Sequence, residues 1–387
     1  MQTQNSFSTV LIVRNEAMTL PRLVASLHSF QETGGEIVVV DTGSADGTAS
    51  IARSLGCTVH EVGERFLIKV GEDIAERINE RFIVEGEEPV IKAGDRIFDY
   101  SSARNYAASL ASNDMVFMPD ADEILTSLNL SVVNGCIGQG VEQLEYPFIY
   151  AHDEYGRPSV QFTHSKFYNR TKLHWEGVIH ECLHGTASKC VLPEQVMKLE
   201  HFQNESTDRS GYLRGLAYDC FISPANDRNS HYFGRELLFF GRPLSAIQEL
   251  ERHLGMNGWA AERSQSLCFI GEALLKLQDE RGAILAFQEA FSVEGGRREP
   301  LMRLADLYYQ KHDAQHTAAY AMAALSIPLN GFYYNQIAHY EHMPHEMLYW
   351  SLWQLGDLDG AKHHFRKALK YRPNHPKYLE DKKFFIS

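Results

Sequence analysis

The second half of the chain repeats itself at an interval of 34 residues, and this spacing limits its fold more than any other feature. Gly271 and Ala305 occupy corresponding positions in two copies, and Ala290 and Ala324 form a second corresponding pair. Small residues at these positions alternate with large apolar residues, a pattern typical of closely crossing helices. One helix pair of this length cannot bury its apolar face alone, so several copies must stack. The sequence therefore predicts an array of helix pairs.

Two further copies have less regular spacing. Ala246 precedes Ala283 by 37 residues, and Ala368 follows Ala324 by 44, so the last copy must accommodate a loop near GFYYNQIAHY. The period and the residue pattern resemble those of tetratricopeptide helix pairs. This resemblance implies an all-α repeat domain over residues 211–387. Such an array either recognises a protein or peptide, or it supports the rest of the fold and holds two chains together as a homodimer.

The first half follows a different pattern, in which short apolar runs alternate with helical stretches. Residues 8–13 (STVLIV) and 36–41 (EIVVVD) are predicted to form buried strands, and a third strand is predicted just before Asp120. This order predicts an α/β layer of parallel strands, in which ligands bind beyond the carboxyl ends of the strands. Asp41 and Asp120 both lie at such ends.

A charged segment, residues 64–99, interrupts the α/β pattern. We expect either a solvated excursion over one edge of the sheet or a lid over the ligand site. The segment DYSSARN that follows predicts the start of a helix, capped by Ser101 or Ser102.

Composition limits the class of protein. With 387 residues, of which 44% are apolar, the chain is long enough for two domains. A net charge of -13 argues against broad electrostatic binding of nucleic acid or of an anionic membrane. The first residues lack a basic segment before an apolar run, and no run approaches the roughly 20 apolar residues of a membrane span, so we expect a cytoplasmic protein. The six cysteines include no CxxC pair and are expected to be reduced and mostly buried.

Two acids spaced by one residue, Asp120 and Asp122, follow the third predicted strand. In a turn that leaves a strand, such carboxylates can together hold a divalent cation and a sugar nucleotide. The simpler explanation is a polar turn before a helix, where Asp120 and the nearby Glu123 are favourable in any case.

Five stretches of the first half, taken in order, resemble the family 2 glycosyltransferases. They are LIVRNEAMTLPRLVASL, EIVVVDTGSADGT, DYSSARNYAASLASNDMVFMPDADEIL, HWEGVIHE and LEHF. The resemblance implies a nucleotide-binding α/β domain of the GT-A fold, Rossmann-like, over residues 1–210. It also implies inverting transfer of a hexose from a nucleotide sugar, expected to be a UDP-sugar, to an acceptor. The acceptor is left open between a protein or peptide, a glycan precursor, and a nucleic acid base, and the net charge disfavours the last.

The resemblance assigns donor-binding roles to particular residues. Asp41 matches the acid that contacts uridine, and Arg104 and Asn105 match a pair that helps to hold the donor. Asp120 is expected on the donor side of the DxD motif, and Trp175 is a candidate platform for the sugar or the acceptor.

The same resemblance implies a divalent metal, Mn²⁺ or Mg²⁺, held by the DxD motif. Asp120 and Asp122 are the expected carboxylate ligands, with Asp122 the direct one. His201 matches a late histidine that completes the metal site, although an ordinary histidine is the alternative. His180 is expected near the metal or in an orienting role.

Inverting transfer requires a carboxylate that removes a proton from the acceptor hydroxyl. Glu181 is the predicted base, and Asp153 and Glu154 are the rival candidates. All three are expected to face the acceptor.

Two other classes of function compete with a transferase. Residues 180–184 (HECLH) match the HExxH motif of zinc hydrolases, and Glu205 is a possible third ligand. The motif requires a helix, however, and Gly177 and Gly185 flank it closely. The remaining class is a non-catalytic scaffold, in which the tetratricopeptide-like repeats bind partners.

Overall fold

A computed structural model describes residues 7–202, 210–256, 258–330, 333 and 335–385 of the chain. The chain forms two compact units. The first unit comprises Met1–Arg81 and Pro89–Ile222, and the second comprises Phe82–Glu88 and Ser223–Ser387.

The first unit combines strands and helices in the order expected for an α/β protein. Its strands are β1 (Phe7–Val13), β2 (Glu36–Asp41), β3 (Thr58–Glu61), β4 (Leu67–Lys69), β5 (Arg96–Phe98), β6 (Met115–Phe117), β7 (Glu123–Leu128), β8 (Gln143–His152), β9 (Pro158–Asn169), β10 (Leu173–Glu176), β11 (Cys182–Gly185), β12 (Lys189–Val191) and β13 (Met197–His201). Its helices are α1 (Leu20–Ser26), α2 (His28–Glu32), α3 (Thr48–Ser54), α4 (Glu72–Phe82), α5 (Tyr100–Ser109), α6 (Leu130–Gly138) and α7 (Ser210–Ile222).

The main sheet of this unit is mixed, in the order β3-β2-β1-β6-β9-β8-β13-β7, with β12 paired to β8. The prediction of parallel strands is confirmed for β1, β2 and β6, and β3, which was not predicted, also pairs parallel to β2. Beyond β6, where the sequence made no prediction of strand direction, β9 runs antiparallel to both β6 and β8. The reason is the short turn between β8 and β9, since a connection of this length can join only antiparallel neighbours.

The continuous apolar runs of β1 and β2 reflect burial of both faces of the sheet. Val10 and Val38 pack on one face with Ala107 of α5. On the other face, Leu11 and Val39 belong to a separate cluster that includes residues of α1. Successive strand residues point to opposite faces, so a strand covered on both sides must be apolar throughout.

Helix α5 carries two of the predicted site residues and begins differently from the prediction. Asp99, rather than Ser101 or Ser102, is its N-cap, and the Asp99 carboxylate accepts a hydrogen bond from the backbone N–H of Ser102 at 2.9 Å. A carboxylate at this position satisfies a free N–H group and also interacts favourably with the helix dipole.

The predicted insertion, residues 64–99, is ordered and not a solvated excursion. Strands β4 and β5 pair antiparallel at its base, and Ile78 of α4 and Ile91 are almost completely buried. Its central part, Phe82–Glu88, belongs to the second unit. There the Glu87 carboxylate accepts hydrogen bonds from the backbone N–H groups of Leu244 and Ser245, at 3.0 and 3.1 Å.

The second unit consists mainly of helices, and it confirms the four predicted repeat copies. They are the pairs α8 (Asp227–Phe239) and α9 (Pro243–Leu254), α10 (Ala260–Lys276) and α11 (Glu280–Val293), α12 (Glu299–Gln310) and α13 (Ala314–Leu325), and α15 (His342–Gln354) and α16 (Leu358–Tyr371). Between the last two pairs lie β14 (Asn335–Gln336) and α14 (Ile337–Tyr340), where the loop was predicted, and α17 (Pro376–Phe385) follows the last pair. Residues 331, 332 and 334 of that loop lie outside the described ranges.

The compact units do not divide where the sequence predicted. Helix α7 falls within the first unit, which ends at Ile222 and not at residue 210. The Asp219 carboxylate of α7 accepts hydrogen bonds from the backbone N–H groups of Val178 and Ile179, at 2.6 and 3.2 Å. These buried contacts anchor α7 to the segment before β11. Among the described helices, none is both long and apolar enough to span a bilayer.

Candidate functional site

Asp41 ends β2 at the carboxyl edge of the parallel strands and is 3% exposed. Its Oδ1 atom accepts hydrogen bonds from the backbone N–H groups of Gly43 and Ser44, at 2.8 and 2.7 Å. Its Oδ2 atom is buried and has no hydrogen-bond partner within the described residues. Because an unpaired buried carboxylate oxygen is unfavourable, this atom is available to a ligand donor.

Beyond β6, five charged side chains form a network that is largely buried, although the side chain of Asp120 is 38% exposed. Asp120 accepts from Nη2 of Arg104 at 2.8 Å and from Nζ of Lys166 at 2.5 Å. Lys166 also donates to Oε1 of Glu123 at 2.6 Å, and Oε2 of Glu123 accepts from the backbone N–H of Asp120 at 2.8 Å. Arg104 donates through Nε to Glu181. The network therefore fixes the turn that carries the predicted DxD motif.

The pKa values of this network follow from burial and from the two cations. Burial alone would raise the pKa of Asp120, but Arg104 and Lys166 outweigh it and hold that pKa well below its usual range. Burial raises the pKa of Glu123 to about 7, although Lys166 opposes the change. Burial would lower the pKa of Lys166, but its two carboxylate partners raise it. Lys166 and Asp120 are thus held in their charged forms.

Asp122 does not join the network and instead contacts His201 at the end of β13. The His201 Nε2 atom lies 3.0 Å from Oδ2 of Asp122, and its Nδ1 atom lies 3.0 Å from the carbonyl oxygen of Tyr150. The rings of His201 and Tyr150 are stacked, with centroids 5.4 Å apart. Burial would lower the pKa of His201, but the hydrogen bond to Asp122 raises it overall. The Asp122 carboxylate and the His201 imidazole are thus in direct contact.

The four predicted metal ligands do not converge. Across the described ranges, no group of three or more His, Cys, Asp and Glu side chains forms a metal-binding cluster. Both oxygens of Asp120 accept hydrogen bonds from buried cations, so Asp120 acts as an anchor of the turn. His180 lies in a left-handed backbone conformation, with a φ of 51°, and its ring packs against Tyr212. Asp122 and His201 are the members of the predicted set that lie together.

Asn105 and Trp175 are predicted donor-binding residues that instead support the site. Trp175 is 5% exposed, and its indole N–H donates to the hydroxyl of Tyr168 at 2.8 Å. The Asn105 carboxamide accepts from the backbone N–H of Trp175 at 2.9 Å and donates to its carbonyl at 2.8 Å. The guanidinium of Arg104 lies over the indole ring, 5.2 Å from its centroid. A buried ring cannot serve as a sugar platform, so Trp175 is a support for Arg104.

The three candidate bases lie in different surroundings. Asp153 accepts hydrogen bonds from the backbone N–H groups of Tyr155 and Arg157, at 2.9 and 3.0 Å, and so shapes the turn between β8 and β9. Glu154 is exposed in that turn. Glu181 pairs with Arg104 and therefore belongs to the buried network. Of the three, Glu181 is the candidate that the fold brings to the acidic turn.

The HExxH alternative is wrong. His180 and Glu181 lie outside any helix, and β11 begins at Cys182 and pairs antiparallel with β10. The two histidines of the motif must lie one helical turn apart to share a zinc ion, and an extended backbone separates them. Gly177, with a φ of 97°, adopts a conformation that favours a turn over a helix. Glu205, the proposed third ligand, lies outside the described residues.

Sequence reasoning missed Lys166 and assigned no site role to Glu123. Lys166 stands directly before two buried aromatic residues, Phe167 and Tyr168, within a strand. A lysine inside such a run is unusual, because a buried ammonium group requires a carboxylate partner. The acids of the PDADE turn are the carboxylate partners that such a lysine requires, and the two features together could have indicated the ion pair.

Comparisons with known proteins concern the repeats. A sequence profile of the tetratricopeptide repeat family matches residues 350–375. The chain carries tetratricopeptide repeats. A TPR repeat-containing protein of Synechococcus elongatus is 27% identical over 174 residues, which is 45% of this chain and 34% of that protein. The chain thus spans about a third of the length of the curated relative that it matches.

Several solved structures are similar to part of the chain, at low sequence identity and low TM-score. The MamA protein is 17% identical, covering 46% of this chain and 86% of MamA with a TM-score of 0.33. PilF of Pseudomonas aeruginosa is 16% identical, covering 44% and 72% with a TM-score of 0.35. PilW, described as a type IV pilus biogenesis factor, is 10% identical, covering 44% and 74% with a TM-score of 0.37. These TM-scores are too low to support a conclusion about the fold or function of this chain.

The comparisons favour the scaffold alternative over a transferase. Tetratricopeptide repeats mediate protein interaction, because their stacked helices form an extended concave binding surface. The family profile and the curated relative both point to such repeats, and neither names a glycosyltransferase.

Proposed function

We propose that the first unit is an inverting, metal-dependent glycosyltransferase of the GT-A type. It would transfer a hexose from a nucleotide sugar, a UDP-sugar being the expected donor, to a hydroxyl acceptor. The observation that carries this proposal is the pairing of Asp122 with His201 beside a turn anchored by Arg104 and Lys166. An α/β sheet binds ligands at this edge, beyond the carboxyl ends of its parallel strands.

Donor recognition is supported by two buried polar atoms that lack partners within the described residues. Oδ2 of Asp41 can accept a hydrogen bond from the base or ribose of a nucleotide. Nη1 of Arg104 can donate one to a donor oxygen. Both residues are at most 5% exposed, so each unpaired atom is unfavourable until a ligand or water contacts it.

Asp122 and His201 would hold the divalent metal, because a carboxylate oxygen and a neutral imidazole nitrogen are suitable ligands. Such an ion neutralises the charge that develops on a diphosphate leaving group. Asp120 has a separate task, since its ion pairs with Arg104 and Lys166 hold the backbone that presents Asp122.

Glu181 is the proposed base, and it would accept the proton of the acceptor hydroxyl as that oxygen attacks the anomeric carbon. Arg104 orients the Glu181 carboxylate by donating to its Oε1 atom. Attack from the face opposite the leaving nucleotide inverts the configuration. Asp153 and Glu154 are the alternative candidates for the base.

Calorimetric titration with nucleoside diphosphates and nucleotide sugars, in the presence of Mn²⁺, tests donor recognition. Asp41→Asn should weaken binding of the preferred nucleotide at least tenfold, because the new amide group offers a donor where an acceptor is needed. Asp73→Asn is the matched control, since the Asp73 side chain is 81% exposed on α4. Equal affinity in wild type and Asp41→Asn would contradict the proposed donor site.

A second candidate function is protein binding by the repeats, either of an acceptor or as a scaffold, including a second copy of this chain. The tetratricopeptide matches support it. A double variant, Asp41→Asn with Asp122→Asn, separates the candidates. A scaffold would keep its protein partners in this variant, whereas a transferase would lose its glycosylated product.

A further inference from the structure

An apolar cavity of about 190 Å³ lies among the last helices of the second unit. Its walls are aromatic side chains from three helices, with Tyr309 on α12, Trp350 and Trp353 on α15, and Phe384 on α17. Trp353 and Phe384 are 47% and 60% exposed, so a ligand can reach the cavity from solvent. An apolar cavity of about 150 Å³ already holds one benzene ring. This cavity, which we call the aromatic pocket, is therefore large enough for one aromatic side chain.

The two charged side chains that line the aromatic pocket both have partners within the second unit. Nζ of Lys377 donates to Oε1 of Glu346 at 2.6 Å and to the hydroxyl of Tyr309 at 3.0 Å. The carboxylate of Asp381 accepts from the hydroxyl of Tyr349 at 2.8 Å. A charged ligand would lose hydration against the aromatic walls without finding a new counter-ion there. The aromatic pocket therefore favours an uncharged occupant.

The end of the chain that forms this pocket is basic, in contrast to the chain as a whole. Residues 358–387 contain eight Lys and Arg residues and three Asp and Glu residues, which gives a formal charge of +5, whereas the whole chain carries -13. Lys382 and Lys383 are exposed and directly precede Phe384. Helix α16, which packs against α15 and α17, adds the exposed residues Arg366, Lys367 and Lys370. A positive surface of this kind favours an acidic partner.

We propose that the aromatic pocket is a docking site for an acidic peptide segment of a partner protein, which inserts one uncharged aromatic side chain. The ring fills the cavity, and carboxylates on either side of it contact the exposed ammonium groups of Lys382 and Lys383. Protein interfaces combine in this way an aromatic anchor in a desolvated pocket with polar contacts at the rim. The docking site rests on the protein-binding role proposed for the repeats and does not depend on transfer by the first unit.

Titration of the full chain with capped tripeptides tests the docking site. Ac-Glu-Trp-Glu-NH2 carries the anchor and two acids, Ac-Glu-Ala-Glu-NH2 lacks the anchor, and Ac-Lys-Trp-Lys-NH2 reverses the charge. Indole N–H signals of the ¹⁵N-labelled protein report binding by NMR, because Trp350 and Trp353 line the pocket and Trp175 and Trp259 do not.

We expect the acidic tryptophan peptide to shift the signals of Trp350 and Trp353 saturably, with a Kd of about 1 mM or lower, and to leave those of Trp175 and Trp259 in place. The charge-reversed peptide should bind roughly tenfold more weakly, because it meets a surface of its own sign. The alanine peptide should cause no saturable shift, because it brings no ring to the cavity.

Variants make the test specific. Phe384→Ala should weaken binding of the acidic tryptophan peptide by about tenfold, because it removes one wall of the pocket. Leu379→Ala is the matched control, since Leu379 is 52% exposed on the same helix and does not line the pocket, and it should bind like wild type. Thermal stabilisation by nucleotide sugars should be the same in Phe384→Ala as in wild type, which separates loss of docking from failure of the proposed transferase.

Three results would overturn the docking site. The acidic tryptophan and alanine peptides could shift the signals alike, the charge-reversed peptide could bind as tightly as the acidic one, or Phe384→Ala could bind like wild type. A saturable shift by a short oligothymidylate, with none by the acidic tryptophan peptide, would also overturn it and indicate a nucleic acid partner.

Discussion

Lys166 and Glu123 form a buried ion pair beneath the acidic turn, with Nζ of the lysine 2.6 Å from Oε1 of the glutamate. The same ammonium group lies 2.5 Å from Oδ2 of Asp120. Two of the three acids in PDADE are therefore held by one buried cation. The third acid, Asp122, contacts His201 instead.

Lys166→Met should destabilise the first unit by about 3–5 kcal/mol, because it leaves the buried Glu123 carboxylate without its ammonium partner. Urea-induced unfolding, followed by hydrogen exchange in peptides from β6 and β9, measures this loss. Lys311→Met is the control, since Lys311 pairs with Glu280 in an exposed position, and it should leave stability nearly unchanged. Equal effects of the two substitutions would mean that the buried network does not stabilise the turn.

Gly271→Ala should destabilise the second unit by about 1–3 kcal/mol. A methyl group at this position would lie 2.3–2.7 Å from ring atoms of Phe287, where α10 and α11 cross. Gly135→Ala in α6 is the opposite case, because its added methyl group meets no atom within 4 Å. That substitution should stabilise its helix by up to about 1 kcal/mol. Urea titrations of both variants measure these changes in the free energy of unfolding. If Gly271→Ala unfolds with the same free energy as wild type, α10 and α11 do not cross as closely as described.

The second unit should lose stability in mild acid because of a buried histidine pair. His231 and His253 both contact the Ser266 hydroxyl, through Nδ1 atoms at 2.7 and 2.9 Å. Burial lowers the pKa of His253 from 6.5 to about 4, so between these pH values the unfolded chain binds more protons than the folded chain. The free energy of unfolding should therefore fall as the pH drops from 6.5 to 4, by about 3 kcal/mol from His253 alone.

His253→Gln isolates this contribution. Its free energy of unfolding should fall less steeply between pH 7.5 and 4.5 than that of wild type, by roughly 2–3 kcal/mol. Chemical denaturation at the two pH values provides the comparison. Identical pH dependence in wild type and variant would exclude His253 as a source of the acid sensitivity.

The sequence predicted those parts of the fold that depend on local pattern. Strands β1 and β2 follow from their continuous apolar runs, and the repeat helices follow from the 34-residue spacing of small residues. The mixed half of the sheet could not be predicted from the sequence, because its strand order depends on contacts between distant residues such as Phe117 and Phe167.

The candidate site was predicted only where local sequence pattern indicates it. Asp41 ends β2, and Asp120 and Asp122 follow β6, so their position after a strand indicates a ligand edge. The sequence could not show that Asp120 binds the ammonium group of Lys166 and not a metal ion, because Lys166 is 46 residues away in sequence. Trp175 was interpreted as a platform because a sequence does not reveal that a tryptophan is buried.

Glu181→Gln should leave donor affinity unchanged and reduce transfer by roughly 10²–10⁴-fold, because the amide keeps an acceptor for Arg104 but cannot take a proton. Turnover and donor titration on the same preparation distinguish these effects. Glu32→Gln, at a side chain that is 63% exposed, is the control. Intact turnover in Glu181→Gln, together with lost turnover in Asp153→Asn or Glu154→Gln, would move the base to the turn between β8 and β9.

We propose that Asp122 and a divalent metal together hold a nucleotide sugar. The most direct test is thermal stabilisation of wild type and Asp122→Asn by a panel of nucleotide sugars, with and without Mn²⁺. We predict that one donor raises the melting temperature of wild type only when Mn²⁺ is present, and that Asp122→Asn shows no such rise. Absence of stabilisation by any donor in wild type, or equal stabilisation in Asp122→Asn, would contradict the proposed transferase.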